Sequence, residues 1–162
     1  MMQRRSVGSG SEGGGVRDRP RIVVGVDASK ESEEALRWAA RYAQLLGATL
    51  DVVHAWHRTD ELAWLESLPP PVEPTHTAQD ELAKIVDQII GPKGATKVTT
   101  AVIEGHAAKV LSDRAKGAAL LVVGCRGFGG FDGLLLGSVS SGCVAHAPCS
   151  VVVVRNETGE TP

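Results

Sequence analysis

The chain of 162 residues has the length of one domain with a single hydrophobic core. Its formal net charge of −2, from 17 basic and 19 acidic residues, gives no electrostatic footprint for binding nucleic acid. The longest apolar runs span about five residues, whereas a membrane-spanning helix needs about 20, so a soluble protein without membrane attachment is expected.

The first 20 residues, rich in Gly, Ser and Arg, are expected to form a disordered tail before a domain at residues 21–155. They contain no hydrophobic segment of the kind that a secretory signal needs, so a cytoplasmic location is expected. The run from Gly8 to Gly13 matches the dinucleotide-binding pattern G-x-G-x-x-G. It precedes the first strand, so we interpret the match as accidental. Residues 156–162 are expected to form a flexible C-terminal tail.

Hydrophobic periodicity predicts five strands that alternate with four helices. Apolar, β-branched runs predict strands at 21–27, 49–56, 98–103, 119–123 and 150–154. Apolar residues at three-to-four spacing predict helices at 29–47, 77–90, 107–117 and 138–146. The stretch 58–76 is predicted to be a long irregular connection with a short helical turn around 62–68. The alternation indicates an α/β fold, a three-layer sandwich in which a parallel sheet lies between helices on both faces.

The first helix should have an apolar stripe facing the sheet and a charged face in solvent. Ser29 can cap its start and Gly47 can end it. Glu33, Arg37 and Arg41 lie four residues apart and are interpreted as a solvated face. The stripe consists of Leu36, Ala39, Ala40, Ala43 and Leu46.

The most informative stretch follows the fourth strand, where an apolar run meets a glycine-rich loop and then a helix start. The glycines have the spacing G-x2-G-x9-G-S, at Gly124, Gly127, Gly137 and Ser138. Glycines let the backbone approach a ligand, and the N–H groups of a first helical turn attract anions. The stretch therefore predicts a phosphate-binding site with Arg126 as its cation. It is not a P-loop, because no G-x4-G-K-[ST] occurs. The alternative is an ordinary strand–loop–helix turn.

Ligands of parallel sheets bind at the carboxyl ends of the strands, where the strand order changes direction. Strands one, two and four end near Asp27, residues 54–56 and Gly124. We expect these ends to converge on one crevice.

Three motifs resemble the universal stress protein family, in the subgroup whose glycine signature binds ATP. They are V-G-V-D-A-S after strand one, V-H-A in strand two, and V-V-G-C-R-G continuing to L-L-L-G-S-V-S after strand four. The resemblance covers residues 22–154 and implies the sheet order 3-2-1-4-5 of adenine nucleotide alpha hydrolase-like, Rossmann-like folds. It also implies ATP in the crevice and a homodimer through the last strand, where the apolar run 151–154 would form an edge open to pairing.

The resemblance implies roles for individual residues. Asp27 would lie near the ribose or a bound magnesium ion, Ala55 would contact adenine through its backbone, and Val123 would pack on the base. Family members often have proline after the glycine that corresponds to Gly105, and this chain departs from that pattern with His106. The full set implied for ATP binding is Gly25, Val26, Asp27, Ala55, Val123, Gly124, Arg126, Gly127, Gly137, Ser138, Val139 and Ser140.

The other histidines and the cysteines give weaker signals. His54 is interpreted as a core histidine with satisfied hydrogen bonds, and the histidines at 57, 76, 106 and 146 lack the spacing of metal ligands. Three cysteines without C-x-x-C argue against a disulfide framework or a zinc site. Cys143 and Cys149 are expected to be small buried hydrophobic residues. Cys125, beside a helix start and Arg126, leaves a redox role as a minor hypothesis.

The crevice offers groups that bind a nucleotide, but the sequence has no G-x-S-x-G elbow, no paired carboxylates and no plausible general base beyond Asp27. No catalytic residue is assigned, and slow ATP hydrolysis is the most that is expected. The predicted function is an ATP-binding regulatory module of the stress response. ATP would order the loop 125–136 and thereby change the surface that is offered to an unidentified protein partner. Two alternatives remain open: a sensor or sink for cyclic AMP, and a nucleotide-free dimerising scaffold.

Overall fold

Five strands and four helices alternate in the computed structural model, which describes residues 19–57, 75–91, 96–127 and 135–156. The strands are β1 (Arg21–Gly25), β2 (Thr49–Trp56), β3 (Val98–Glu104), β4 (Leu120–Gly124) and β5 (Ser150–Val154). The helices are α1 (Lys30–Leu46), α2 (Thr75–Ile90), α3 (Ala107–Arg114) and α4 (Ser138–His146).

The strands form one parallel sheet in the order β3-β2-β1-β4-β5. The predicted α/β class and sheet order are therefore confirmed. Successive residues of a strand point to opposite faces of a sheet. In β1, Ile22 and Val24 pack with residues of α1 and α2, whereas Val23 packs with residues of α3 and α4. The unbroken apolar sequence of β1 reflects this burial on both faces.

Helix α1 has the predicted termini and the predicted charged face. The Ser29 hydroxyl caps it by accepting the Ser32 amide at 3.2 Å, and Gly47 ends it in the left-handed conformation with φ +61°. On the solvent side, Arg37 pairs with Glu33 at 3.2 Å and with Glu34 at 2.6 Å.

The differences from the predicted elements have local causes. β1 ends at Gly25 rather than residue 27, because Ala28 adopts a left-handed conformation with φ +64° and turns the chain into α1. α2 begins at Thr75, two residues before its predicted start. The placement of Leu46 in the apolar stripe is wrong: it is 49% exposed, because the buried face of α1 ends at Ala43.

Several sequence predictions lie outside the described residues. They concern the tail 1–18, the connection 58–74 with its helical turn at 62–68, the loop 128–134 and the tail 157–162. Within the described ranges, no helix has both the length and the apolar character needed to cross a bilayer.

Candidate functional site

A cavity of about 380 Å³ opens at the carboxyl ends of β1 and β4. These two strands are neighbours in the sheet, and the strand order changes direction between them. All twelve residues that the resemblance implied for ATP binding line this cavity. Among the residues that the structure describes, four further lining residues were not predicted: Ser32, Val53, Ala107 and Leu111. Three of these four are apolar residues of regular elements, where the sequence pattern indicates burial without indicating a ligand.

Two glycines let the segment after β4 pack against the end of β1 and the start of α1. A Cβ atom at Gly124 would lie 2.8 Å from the backbone carbonyl carbon of Glu31. A Cβ atom at Gly127 would clash with the Oδ2 atom of Asp27. Gly137 is less constrained, because its nearest neighbour would be 3.4 Å away. Glycine is therefore required by close approach at 124 and 127.

The N-terminus of α4 presents amide donors that the helix itself leaves unpaired. Gly137 is the N-cap and provides no side-chain cap. The first bond within the helix runs from the Ser141 amide to the Gly137 carbonyl at 2.9 Å. The amides of Ser138, Val139 and Ser140 precede that bond and have no acceptor inside the helix. All three residues line the cavity, so the positive end of the helix dipole lies at its wall.

The loop between β4 and α4 is closed at its base by hydrogen bonds to one carbonyl. The Cys125 carbonyl accepts from the Gly137 amide at 2.8 Å and from the Ser140 hydroxyl at 3.0 Å. The same hydroxyl also lies 3.0 Å from the Gly137 carbonyl. Because the hydroxyl hydrogen of buried Ser140 is used inside the protein, this residue can offer a ligand its amide and an oxygen lone pair.

Asp27 belongs to a hydrogen-bond network between β1 and α1. Its Oδ1 atom accepts from the Ser29 amide at 3.1 Å and from the Ser29 hydroxyl at 2.5 Å. Its own amide donates to the Ser32 hydroxyl at 3.2 Å. The other carboxylate oxygen, Oδ2, lies next to Gly127 across the cavity wall. The network therefore holds the Asp27 side chain in one orientation at the site.

Two histidine contacts lie near the carboxyl ends of the strands. The Nδ1 atom of His54 lies 2.8 Å from the Val26 carbonyl oxygen, so the predicted hydrogen bond is present, but the side chain is half-buried rather than in the core. His57 and His106 follow β2 and β3, and their ring centroids lie 4.2 Å apart at an angle of 36°. The register of these two neighbouring strands brings the rings together, and sequence spacing gave no sign of it. No three His, Cys, Asp or Glu side chains form a metal-binding group in the described part of the chain.

The three cysteines are free thiols in different environments. Cys143 is fully buried, as predicted, and burial raises the pKa of its thiol to about 11. Cys149 is only half-buried. Burial raises the pKa of its thiol, and this effect outweighs the lowering by a hydrogen bond from the Leu121 backbone and by the charge of Arg21. Cys125 is buried at the base of the loop, and its redox role stays a prediction.

The sheet and its cavity define a doubly wound α/β protein with a cavity at the topological switch point, where ligands of this class bind. Within that class the chain belongs to the universal stress protein family, whose model matches residues 19–155. The family indicated by the three sequence motifs is therefore confirmed.

Similar proteins include curated relatives and solved structures. Universal stress protein Rv2623 of Mycobacterium tuberculosis is 41% identical over 148 residues, which cover 87% of this chain and 49% of that protein. The chain spans about half the length of the curated relatives it matches. UspA from Lactobacillus plantarum superposes with a TM-score of 0.71 at 25% identity, covering 85% of this chain and 99% of that one. A universal stress protein solved in complex with cAMP has a TM-score of 0.60 at 26% identity, covering 85% and 97%.

Proposed function

We propose that the cavity binds ATP and that the protein is a nucleotide-dependent regulatory module of the stress response. The main support is the start of α4, where the amides of Ser138, Val139 and Ser140 lie at the cavity beside Arg126. Successive amides, the helix dipole and a guanidinium together form a donor set suited to phosphate oxygens.

The rest of the cavity suits the adenosine part of the ligand. Val26, Ala55 and Val123 give it apolar wall on which a purine can pack. Asp27 places a carboxylate at the same wall, which can accept hydrogen bonds from ribose hydroxyls. The volume of about 380 Å³ lies within the range of small-molecule sites, roughly 300–1,000 Å³. The residues present therefore fit an adenine nucleotide.

The same carboxylate is our candidate for magnesium binding. Mg²⁺ usually binds through one or two carboxylates and substrate phosphates while keeping several waters. When bound with ATP, magnesium would neutralise phosphate charge. Among the described residues that line the cavity, no histidine or second carboxylate is available as a general base. Any ATP hydrolysis is therefore expected to be slow.

Cyclic AMP is the second candidate ligand, because a relative of 26% identity was solved in complex with cAMP. Cyclic AMP has one phosphate and would use the adenosine wall with fewer contacts at α4. Replacing Arg126 by Gln tests whether the guanidinium contacts the phosphate chain of ATP. If the guanidinium makes this contact, the substitution should weaken the binding of ATP about 5- to 20-fold and the binding of adenosine less than 2-fold. Equal losses for ATP and adenosine would argue against a phosphate contact.

The deciding experiment is calorimetric titration of the purified protein with ATP–Mg and, separately, with cyclic AMP. The test variant is Gly127→Glu, which places bulk and charge against Asp27. The matched control is Gln44→Glu, which adds the same charge on an exposed position of α1 outside the cavity lining. We expect ATP to bind more tightly than cyclic AMP, with binding abolished by Gly127→Glu and unchanged by Gln44→Glu.

The other results have definite meanings. Tighter binding of cyclic AMP would make the protein a sensor or sink for that nucleotide. A folded wild-type protein that binds neither nucleotide would favour the scaffold function and contradict the proposal.

We also propose a homodimer through β5, which lies at the edge of the sheet beside β4. Its run from Val151 to Val154 is apolar and only half-buried, and exposed edges of this kind pair with other strands. The Val154 carbonyl faces β4, where it accepts a hydrogen bond from the Cys125 amide. Because the backbone groups of successive residues point to opposite sides of a strand, the Val153 amide points outward, away from β4.

The substitution Val153→Pro removes this outward amide without removing a bond to β4. Sedimentation analysis should show a dimer for the wild type and for Val153→Thr, which keeps the amide, and a folded monomer for Val153→Pro. A monomeric wild type at micromolar concentration would contradict the dimer.

A further inference from the structure

The C-terminal end of β5 is hydrogen-bonded to both flanks of the loop that joins β4 to α4. The Val154 carbonyl accepts from the Cys125 amide at 2.8 Å, on the β4 side. The next residue, Arg155, donates from Nη2 to the Leu135 carbonyl at 3.2 Å, on the α4 side. The edge strand is thus joined directly to the segment that enters α4.

The bond from Arg155 to the Leu135 carbonyl holds a segment, residues 135–137, that has little packing of its own. Leu135 is 77% exposed, so its side chain contributes little to holding the backbone in place. Only two residues further on, Gly137 caps α4, and its amide is bound to the Cys125 carbonyl. The entry into α4 is therefore held by the Leu135 bond together with the bonds of the Gly137 amide and the Ser140 hydroxyl to the Cys125 carbonyl.

We infer that Arg155 is a positioning residue for the cavity: by holding the Leu135 carbonyl, it fixes the entry into α4 and the amides of Ser138, Val139 and Ser140. This inference rests on the proposed function, because those amides are the proposed phosphate donors. Without the bond, residues 135–137 sample more conformations, and a ligand must order them when it binds.

The guanidinium geometry explains why arginine suits this position. A planar guanidinium presents several N–H donors in a fixed arrangement, so one can reach a backbone carbonyl while the group stays hydrated. Lysine keeps the charge and N–H donors, but it carries them on a more flexible stem without the fixed planar arrangement. We therefore expect Arg155→Lys to retain part of the effect that Arg155→Ala loses.

The groove beside β5 provides a matched control. Arg155 lines it together with Lys30, Trp38 and Arg41. Arg41 has the same charge and lies in the same groove, but it belongs to α1 rather than to the end of β5. Arg41→Ala thus removes an equal charge from the groove without touching the Leu135 carbonyl.

The test combines calorimetry with hydrogen exchange in the full chain. Arg155→Ala should weaken ATP–Mg binding about 3- to 10-fold, Arg155→Lys less, and Arg41→Ala less than 2-fold. In the nucleotide-free protein, Arg155→Ala should increase exchange at the Gly137 and Ser141 amides, which are hydrogen-bonded to the Cys125 and Gly137 carbonyls, and leave exchange in β1 and β2 unchanged. General destabilisation would not produce such a local change.

The two measurements separate this inference from the proposed function. A wild type that binds no nucleotide contradicts the proposed function, and exchange at the Gly137 and Ser141 amides still decides whether Arg155 positions α4. Wild-type exchange and affinity in Arg155→Ala would overturn the inference. Faster exchange throughout the sheet, with neither measurement even partly restored in Arg155→Lys, would also overturn it, because Arg155 would then be a general structural residue.

Discussion

Asp51 on β2 and Arg114 at the end of α3 form a two-point ion pair at the amino end of the sheet. Nε of Arg114 lies 2.7 Å from Oδ2 of Asp51, and Nη2 lies 3.1 Å from Oδ1. The Asp51 side chain is 3% exposed, whereas that of Arg114 is 42% exposed. Arg21 and Thr99 donate to the same carboxylate at 3.1 Å each. The pair therefore joins α3 to the three strands β1, β2 and β3.

Removing the arginine should destabilise the protein, because a buried carboxylate would lose two of its donors. Arg114→Ala should lower the free energy of unfolding by about 1–2 kcal/mol, a value reduced from that of a fully buried pair because solvent screens the exposed arginine. Urea denaturation measures this change. Arg41→Ala, an exposed position on α1, should change the free energy by less than about 0.5 kcal/mol. Equal effects of the two substitutions would contradict the assigned role of Arg114.

The same carboxylate should contribute to the acid sensitivity of the fold. Burial raises the pKa of Asp51, but its hydrogen bond to Arg114, the charge of Arg114, and further contributions from Thr99 and Arg21 outweigh burial and lower the pKa below its ordinary 3.8. A carboxylate with a lowered pKa in the folded state stabilises that state above its unfolded pKa, and the stabilisation is lost as the pH falls through the folded value.

Asp51→Asn tests this dependence. We expect the wild type to be more stable than Asp51→Asn at pH 7 and at pH 5, with a difference that shrinks steadily once the pH falls below 3.8. Urea titrations at pH 7, 5, 4 and 3 give the difference at each pH. A difference that is constant across this range would show that Asp51 titrates alike in the folded and unfolded states.

The elements were predictable because each depends on local sequence. Unbroken β-branched runs indicated strands buried on both faces, and capping residues such as Ser29 and Gly47 marked helix ends. The part of the cavity lining that follows β4 was predictable for a related reason: glycines and a helix start act through the backbone, and their spacing is visible in one stretch of chain. The lining residues Gly25, Val26, Ala55 and Val123 were implied by the family resemblance instead.

Contacts between distant side chains were not predictable from the same evidence. Asp51 interrupts an apolar strand, but nothing near it in sequence indicates Arg114, 63 residues away. The contact between the tilted rings of His57 and His106 likewise depends on strand register. Leu46 was wrongly assigned to the buried face of α1. Helical spacing shows which face of a helix is apolar, but it does not show at which residue that face stops contacting the sheet.

Helices α3 and α4, which both line the cavity, are in close contact at Ala108 and Gly142. A Cβ atom at Gly142 would lie 2.7 Å from the Ala108 Cβ atom. Gly142→Ala should therefore force the helices apart and cost about 1–3 kcal/mol of unfolding free energy. The combined variant with Ala108→Gly should lose less than the sum of the single losses, because the clash is removed. Strict additivity in this double-mutant cycle would contradict direct contact between the two positions.

The left-handed conformation of Ala28, φ +64°, should make glycine more stable than alanine at this position. An L-residue in this region is destabilised by about 1–2 kcal/mol. Glycine avoids that strain but gives the unfolded chain more entropy, worth about 0.4–1 kcal/mol. Ala28→Gly should therefore raise the free energy of unfolding by about 0.5–1 kcal/mol, whereas β-branched Ala28→Val should lower it. Because the side chain is exposed, packing should not obscure the comparison. Thermal unfolding of both variants checks the order, and a less stable glycine variant would contradict it.

The cysteines should react with thiol reagents in an order set by burial. With a pKa of about 11, Cys143 has a thiolate fraction at pH 8 of about 1 in 1,000, and the fully buried thiol is also inaccessible. Cys149 is half-buried and should react first in the native protein. Mass spectrometry after brief treatment with iodoacetamide should find label on Cys149 before Cys143 and Cys125, and Cys149→Ser should remove the early label. In urea all three thiols should react at similar rates. Native labelling of Cys143 as fast as Cys149 would require helix α4 to open from the sheet on the timescale of the reaction, and hydrogen exchange in α4 would then have to be fast as well.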